Sequence, residues 1–287
     1  MPRRKNNLTK EKIVKLIKEG RGQGEKENYI PWSQIGDFSS LGRGNRVNAP
    51  NSKRVHHFHS DLERDYFFYT IWNDDVDDLR EQYPLRPAKE IISIAKELHY
   101  KPPKPYKSGC DFIMSTDMFV TIKINHKKVE KAYSVKYKKD LKRKRVLEKL
   151  AIEETYWGYR DVPYEIITED SFNRMAARNI SFLFSHAILK PEISEEVIDH
   201  IYNELVDAIF YHKDKGVRLC EICKGIDINK GYENGFTLRF FYYYAALKDI
   251  PIKLEHLIVG TCIIDEVVDF VTFENMMKGE MENGDIV

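Results

Sequence analysis

The sequence predicts a mixed α/β protein with two domains, and three observations lead to this prediction. The chain has 287 residues, which exceeds the usual size of one domain. The spacing of its apolar residues changes between the period of a helix and the period of a strand. Charge is divided as well: residues 1–168 carry 34 Lys and Arg against 24 Asp and Glu, a net +10, whereas residues 169–287 carry 12 against 21, a net −9. We therefore place a domain boundary after Thr168.

Composition excludes several classes of protein. The hydrophobic fraction of 42% and the charged fraction of 32% are typical of a folded protein, not of a disordered chain. No apolar run approaches the roughly 18 residues of a membrane span, and the basic start lacks the apolar core of a signal peptide. Four unevenly placed cysteines indicate reduced thiols. We expect a cytoplasmic protein.

The first elements are a helix and a glycine-rich loop. Thr9 is a suitable cap for a short helix that Gly20 would end. The loop 20–24 lacks the Gly-Lys-Ser/Thr of a P-loop, which argues against nucleotide binding. Contact of Arg21 with phosphate and a plain flexible connection are equally good interpretations of this loop.

The next segments alternate between loop, helix and strand. A basic loop covers residues 31–51, and Ser60-Asp-Leu-Glu63 has the capping-box pattern that starts a helix. A proline-rich segment with one helix follows this first capped helix. The remaining elements of the first domain are predicted as strands at 114–124 and 133–137, a helix at 140–156 and a strand at 163–168.

The acidic half is predicted to be mainly helical. Ser194 is a candidate cap for one helix, and shorter helices are expected at 219–225 and 236–247. The stretches 252–259 and 262–273 fit either short strands or a last helix. Helices followed by a small β element would form a winged-helix-like module.

One set of polar residues has the types and the order of a metal-dependent site for phosphate chemistry. Glu63 starts a helix, Asp117 lies on a following strand, and Ser134 and Lys136 share a face of the next strand. Carboxylates from separate elements supply the hard oxygen ligands that Mg²⁺ prefers and leave positions for water and phosphate oxygens. Lys136 would neutralise charge on the attacked phosphate or position the water.

A basic run lies beside these residues. From Lys127 to Arg145 there are ten basic and two acidic residues, with Tyr133 and Tyr137 interleaved. Such a run fits a phosphodiester backbone better than a solvated helix face, because cations flanking a metal site anchor a substrate without reading its sequence. The candidate DNA contacts are Arg21, Arg43, Arg46, His56, His57, Lys138, Lys139, Lys142 and Arg143.

Two other clusters are assigned no metal. His56, His57 and His59 lack the spacing of a structural zinc site, so packing or DNA contact is the preferred interpretation. Cys220 and Cys223 form a lone C-x-x-C without a second pair, which favours small core residues.

At these positions the sequence resembles the TnsA endonuclease family. The resemblance covers most of the first half and only faintly the second. It includes Gly20-Arg-Gly-Gln-Gly, Tyr29-Ile-Pro-Trp, Arg54-Val-His-His, Ser60-Asp-Leu-Glu, Arg80-Glu-Gln, Pro84-Leu, Met114-Ser-Thr-Asp, Val135-Lys, Leu147-Glu-Lys-Leu and Tyr156-Trp. Several ordered blocks are more specific than one motif.

The resemblance implies a restriction-endonuclease-like fold of the PD-(D/E)xK class that uses Mg²⁺, or Mn²⁺ in its place, to hydrolyse one DNA strand. Glu63 and Asp117 match the family's acidic metal ligands, and Lys136 matches its active-site lysine. Glu153 matches an acidic residue that would hold a second metal; a surface glutamate is the equal alternative. Ser134 stands where the family often has Gln or Glu, which puts its side chain in doubt as a metal ligand.

The resemblance also implies partners. Such an endonuclease cuts the 5′ ends of a mobile element, while the DDE-type transposase TnsB cuts and joins the 3′ ends. The acidic C-terminal half would dock on the AAA+ ATPase TnsC, which explains the division of charge. A self-sufficient restriction or repair nuclease and a non-catalytic assembly factor are the alternatives.

Overall fold

The computed structural model describes residues 8–37, 43–50, 52–187 and 194–284. They fall into two compact units that divide between Arg174 and Met175. The basic start of the chain and parts of the predicted loop 31–51, namely residues 38–42 and 51, lie outside the described residues.

The first unit has the mixed α/β character that the sequence predicts. Its elements in chain order are α1 (Lys10–Lys18), β1 (Asn45–Asn48), β2 (Val55–Phe58), α2 (Asp61–Ile71), β3 (Val76–Pro84), α3 (Ala88–Glu97), β4 (Ser115–Ile124), β5 (Lys127–Val135), α4 (Lys144–Gly158) and β6 (Tyr164–Ile167). The main sheet has the order β3-β4-β5-β6, in which the first three strands are antiparallel and β6 is parallel to β5. Strands β1 and β2 form a separate antiparallel pair.

Side-chain caps fix the start of two predicted helices. The Thr9 hydroxyl accepts a hydrogen bond from the backbone N–H of Lys12 at the start of α1. The Ser60 hydroxyl accepts one from the backbone N–H of Glu63 at the start of α2. Each bond satisfies an N–H that has no partner within the helix. The cap at Ser60 places Glu63 in the first turn of α2, as the sequence predicts.

The hairpin β4-β5 extends further than the sequence suggests. The prediction of a strand from 133 to 137 is wrong at both ends, because β5 begins at Lys127 and ends at Val135. The two-residue turn at Asn125 and His126 has positive φ at both positions, as type I′ hairpin turns require. The first half of β5 is exposed and rich in lysine, so it lacks the apolar alternation that marks a strand in sequence.

Strand β3 was not predicted at all, because it carries acidic and basic residues into the interior. Glu81 on this strand is fully buried, and Arg54 donates two hydrogen bonds to its carboxylate at 2.8 and 2.7 Å. His56 Nδ1 lies 3.2 Å from the same carboxylate. Burial raises the pKa of Glu81, but the bonds from His56 and Arg54 outweigh it and lower that pKa to about 2.

An apolar layer supports the sheet on the side of α3 and α4. Its buried members are Leu85, Ile91, Ile94, Ala95, Met114, Phe119, Ala132, Ile152, Tyr156 and Trp157. Within it, the rings of Phe119 and Trp157 stack with centroids 4.8 Å apart. Strand β4 is buried on both faces over most of its length, which gives the positions around Asp117 a rigid frame.

The second unit is helical. Its elements are α5 (Arg174–Phe184), which begins at the division between the units, α6 (Glu195–His212), α7 (Leu219–Lys230), α8 (Phe236–Leu247), α9 (Ile264–Val267) and α10 (Phe270–Gly284). Buried Asp227 accepts hydrogen bonds from the backbone N–H groups of Gly235 and Thr237 and from the Thr237 hydroxyl, which joins α7 to α8.

The end of the chain settles the alternative left open for 252–273. Residues 252 and 268 form an isolated antiparallel bridge, and residues 218 and 263 form another. The rest of this stretch leads into the short helix α9 and then α10. Within the described part of the chain, no helix is both long and apolar enough to cross a bilayer.

We expect Glu81 to contribute far more to stability than an exposed ion-paired glutamate. The substitution E81Q leaves the Arg54 cation buried without its counter-charge and should lower the free energy of unfolding by about 3 kcal/mol. The matched change E90Q removes the partly exposed pair between Glu90 and Arg160 and should cost about 1 kcal/mol or less. Urea denaturation measures both. Equal losses would contradict the assignment of Glu81 as a buried anchor of β3.

Candidate active site

Glu63 is buried at the start of α2, with several donors around its carboxylate. Its oxygens accept hydrogen bonds from the backbone N–H of His59 at 3.0 Å and from the Ser60 hydroxyl at 2.8 Å. The Gln82 side-chain amide donates a third bond at 3.3 Å. Gln82 in turn accepts from the Ser115 hydroxyl at 3.0 Å, so β3 and β4 both help to fix the carboxylate.

Asp117 and Lys136 meet at the end of β5. The backbone N–H of Val135 donates to Asp117 Oδ2 at 2.8 Å, and the Lys136 ammonium forms an ion pair with the same oxygen. Lys136 also donates to the Val135 carbonyl at 3.1 Å. Its backbone N–H is bound to the Ile167 carbonyl of β6 at 2.9 Å, so three strands position the Asp117–Lys136 pair.

A second set of bonds lies directly behind this pair. Glu153 on α4 is buried, and its Oε1 accepts from the Thr116 hydroxyl at 2.7 Å and from the Ser134 hydroxyl at 2.9 Å. The Trp157 indole donates to the Thr116 oxygen at 2.7 Å. Ser134 is thus engaged with Glu153, and its side chain is a positioning group for that carboxylate in this conformation.

The carboxylates of the site are crowded in a place of low polarity. Burial and the nearby charge of Asp117 raise the pKa of Glu63 to about 7. Burial and Asp117 also raise the pKa of Glu153 to about 7. Burial lowers the pKa of Lys136, but Asp117 and Glu63 outweigh it and hold the pKa above its usual value. One permanent cation therefore faces three acids, and additional positive charge would be stabilised here.

Of these residues, Lys136 and Glu153 line an open cleft of about 600 Å³. His59 and Ser60 line it on the side of α2, and α4 lines it on the other. Its polar lining includes Lys136, Tyr137, Lys139, Asp140, Arg143, Lys149 and Glu153. A cleft with this excess of lysine and arginine fits an anionic substrate.

Comparison with known proteins agrees with this geometry. Residues 73–169 match the family model described as TnsA-like endonuclease N terminal. Over 239 residues the chain is 34% identical to the transposon Tn7 transposition protein TnsA of Escherichia coli, which covers 83% of this chain and 84% of that protein. The chain belongs to the TnsA family. The match to the family model spans β3 to β6 and so contains Asp117, Lys136 and Glu153.

Within this TnsA-family chain, the predicted DNA contacts separate into two groups. Lys139 and Arg143 line the cleft. Lys142 and Arg43 are exposed, and exposed Arg46 donates to the Ile35 carbonyl at 3.0 Å. These five cations are exposed, and their contact with DNA stays a prediction.

The other predicted contacts have partners inside the protein. Arg21 is paired with Asp37 at 2.9 Å, and its guanidinium also reaches the Pro31 and Trp32 carbonyls. His56 is buried against Glu81, and half-buried His57 accepts from the Ile35 backbone N–H at 3.2 Å. Exposed Lys138 is paired with Asp170. Arg21, His56 and His57 serve the fold through these partners, so the DNA contacts proposed below omit them. Lys138 is retained, because its pair with Asp170, like the pair of Arg143 with Asp140, is an exposed surface pair that contributes little.

Three residues of the cleft are not among the candidate site residues of the sequence, although Tyr137 belongs to the basic run and packing or DNA contact is the interpretation for His59. Tyr137 and Lys149 line it from the α4 side, and His59 lines it from the α2 side. Lys149 precedes Glu153 by four residues on one helix, and this spacing places both on one face. The spacing was a usable signal, whereas the position of His59 depends on how the loop before α2 packs. The Ser33 hydroxyl lies 2.9 Å from His59 Nε2.

The donor set at Glu63 and Asp117 fits Mg²⁺. Nowhere in residues 8–37, 43–50, 52–187 or 194–284 are three or more His, Cys, Asp or Glu side chains grouped so that together they could hold a metal ion. Mg²⁺ in enzymes of phosphate chemistry is commonly held by one or two carboxylates and keeps its other positions for water and phosphate oxygens. Two buried carboxylates beside an open cleft, one with its pKa raised to about 7, match that requirement.

The two raised pKa values predict a stability that falls with pH. The unfolded chain releases the protons of Glu63 and Glu153 near pH 4.5, whereas the folded protein holds them to about pH 7. Their contribution is therefore complete below pH 4.5 and is lost as pH rises through 7. At pH 8, without divalent cations, E63Q and E153Q should each raise the free energy of unfolding by about 1–3 kcal/mol.

Urea denaturation from pH 5 to 8 tests this prediction. The matched control is E154Q, because Glu154 is exposed and follows Glu153 on α4. The control should follow the wild type at every pH. If E63Q and E153Q also lost stability in parallel with the wild type, the two carboxylates would not be the groups that titrate.

Proposed function

We propose that this protein is a Mg²⁺-dependent DNA endonuclease that cleaves the 5′ ends of a mobile element during cut-and-paste transposition. In this proposal it works with a DDE transposase, TnsB, and an AAA+ regulator, TnsC. One observation carries the proposal: Glu63, Asp117 and Lys136, which come from three separate elements, interact with one another, and Lys136 also lines a basic cleft. Membership of the TnsA family gives the class of reaction.

The architecture supports a PD-(D/E)xK core. In the proposed correspondence, Asp117 on β4 and Lys136 just after β5 occupy the acidic and lysine positions of that motif. Neighbouring antiparallel strands bring the two side chains together, and α2 supplies Glu63. For residues 175–287, the helices together with two isolated antiparallel bridges support a winged-helix-like module.

The residues of the site divide the work of hydrolysis. Mg²⁺, when bound by Glu63 and Asp117, would supply Lewis-acid stabilisation of the phosphate and a lowered pKa for water. The Lys136 ammonium is placed to stabilise negative charge that develops on the attacked phosphate. The backbone N–H of Val135 holds the Asp117 carboxylate in a fixed orientation. Glu153, held by Thr116 and Ser134, is the candidate for a second metal ligand.

The acidic part of the chain supports a protein partner. Residues 169–287 carry a net charge of −9 and would be repelled by the DNA that the first unit attracts. A complementary protein surface is the better target, and TnsC is the partner we propose for it. The DNA contacts we propose are Lys139 and Arg143 in the cleft, the exposed Lys138 and Lys142 next to them in sequence, Arg43 before β1 and Arg46 on β1.

Cleavage of DNA that carries element ends tests the proposed activity. With Mg²⁺ and TnsB, the wild type should cut one strand at each end, and D117A should cut at least about 100-fold more slowly because a metal ligand is lost. The matched control is D140A, since Asp140 lies in the same cleft but pairs with Arg143 at 3.1 Å. The control should cut at close to the wild-type rate.

Each other outcome selects a different function. Cutting by the purified chain without TnsB would favour a self-sufficient restriction or repair nuclease. Normal excision by D117A, together with tight binding to TnsB, would favour a non-catalytic assembly factor. If D117A itself still cuts the DNA, with no other nuclease in the mixture, the active site lies elsewhere.

Mg²⁺ should also stabilise the folded protein independently of DNA. A cation that binds only the folded state raises the free energy of unfolding by about 2.7 kcal/mol at a hundred times its dissociation constant. At pH 8 we expect Mg²⁺ to raise the melting temperature of the wild type and to leave that of D117A unchanged. Equal shifts for the two proteins would place the cation at another site.

A further inference from the structure

Lys149 lies in the cleft with the residues of the proposed active site. It is on α4, one turn before Glu153, and the rise of an α-helix puts the two residues about 6 Å apart along the axis. Both line the cleft, together with Lys136 and Arg143. The resemblance and the geometry of the Asp117–Lys136 pair assign no role to Lys149.

Three neighbouring cations have anionic partners, whereas Lys149, like Lys139 in the same cleft, has none among the described residues. Lys136 is paired with Asp117, Arg143 with Asp140 at 3.1 Å, and Arg145 with Glu148 at 2.8 Å. No carboxylate in the described part of the chain forms an ion pair with Lys149.

The surroundings of Lys149 are unfavourable for a lone ammonium. Enclosure by the cleft lowers its pKa, and the charges of Arg145 and Lys136 lower it further. An anion that enters the cleft would offset the repulsion between Lys149 and these two cations. The side chain stays accessible from the open side, so such an anion can reach it.

The lining of the cleft indicates which anion this is. Beside the cations, the walls include the apolar side chains Phe112, Met114, Val146 and Leu150. A small inorganic anion would gain nothing from them. A nucleotide offers a phosphate to the cations and a sugar and a base to the apolar wall.

We propose that Lys149 binds a phosphate group of the DNA strand that enters the cleft, next to the phosphate that is cut. This inference rests on the proposed endonuclease function and adds a substrate-binding residue to it. In this arrangement Lys136 serves the reacting phosphate. Lys149 contributes to affinity and to placement of the strand along α4.

The test compares K149Q with a charge-matched control on the same helix. Lys144 is exposed, begins α4 and does not line the cleft. K144Q therefore removes the same charge from a position outside the cleft. The substrate is a fluorescently labelled duplex that carries an element end. The wild type is first assayed with and without TnsB, and the mixture in which it cuts is used for every variant. Single-turnover cleavage rates are then measured as a function of protein concentration at 50 and 200 mM salt.

One lost phosphate contact should lower the slope of log affinity against log salt by about 0.9. Between 50 and 200 mM salt the wild type should therefore lose about threefold more affinity than K149Q. At low salt, K149Q should need more protein for half-maximal rate, with a smaller effect on the maximal rate. K144Q should match the wild type, and K149R, which keeps the charge, should recover most of the affinity.

The outcomes separate this inference from the proposed function. If the wild type does not cut in either mixture, the proposed function fails. If the wild type cuts and K149Q has the same concentration and salt dependence, only the role of Lys149 is overturned. Equal effects of K149Q and K144Q would also overturn it, since general attraction by the basic unit would then explain both. Thermal unfolding of K149Q and K149R excludes loss of folding as the cause.

Discussion

The antiparallel pairing of β4 with β5 is the constraint on which the site depends. The register pairs Met118 with Tyr133, and one further step places Asp117 opposite Ser134. The bond from the Val135 backbone N–H to Asp117 and the ion pair with Lys136 follow from this register. A slip of one residue would turn every side chain of a strand to the other face and separate the two groups. The type I′ turn and the buried faces of β4 fix this register, and so they keep Asp117 and Lys136 in contact as well as stabilising the fold.

The crowding of acidic side chains in the site lowers the stability of the folded protein and favours the binding of a cation. Glu63 and Glu153 are buried near Asp117, and Lys136 is a single cation among them. Hydrogen bonds from neighbouring backbone and hydroxyl groups orient the carboxylates without removing their mutual repulsion. Proton uptake relieves that repulsion at low pH, and a divalent cation would relieve it near neutrality. Glu81 shows the contrasting solution, because the Arg54 guanidinium neutralises its buried carboxylate and His56 lies within hydrogen-bond distance of it.

The elements that could be predicted from sequence are those in which local signals agree with the fold. The cap at Ser60 located α2 and Glu63, and the apolar alternation located β4 and Asp117. Strand β3 escaped prediction because its interior residues are charged and are compensated by partners distant in sequence, such as Arg54. The first half of β5 escaped because it is an exposed, lysine-rich hairpin arm. The local pattern of apolar and polar residues carries no information on contacts between residues that are distant in sequence.

The same limitation decides which basic residues are available to DNA. Charge is visible in sequence, but pairing is a property of the folded chain. Arg21 and Lys149 are both basic residues of the first unit, yet Arg21 is held by Asp37 and two carbonyls, whereas no described carboxylate pairs with Lys149. A cation with an internal partner must give up that partner before it can bind a phosphate, so it adds little net attraction. The cations that contribute most to binding are therefore those that the fold leaves unneutralised inside a cleft, and a count of lysines and arginines does not identify them.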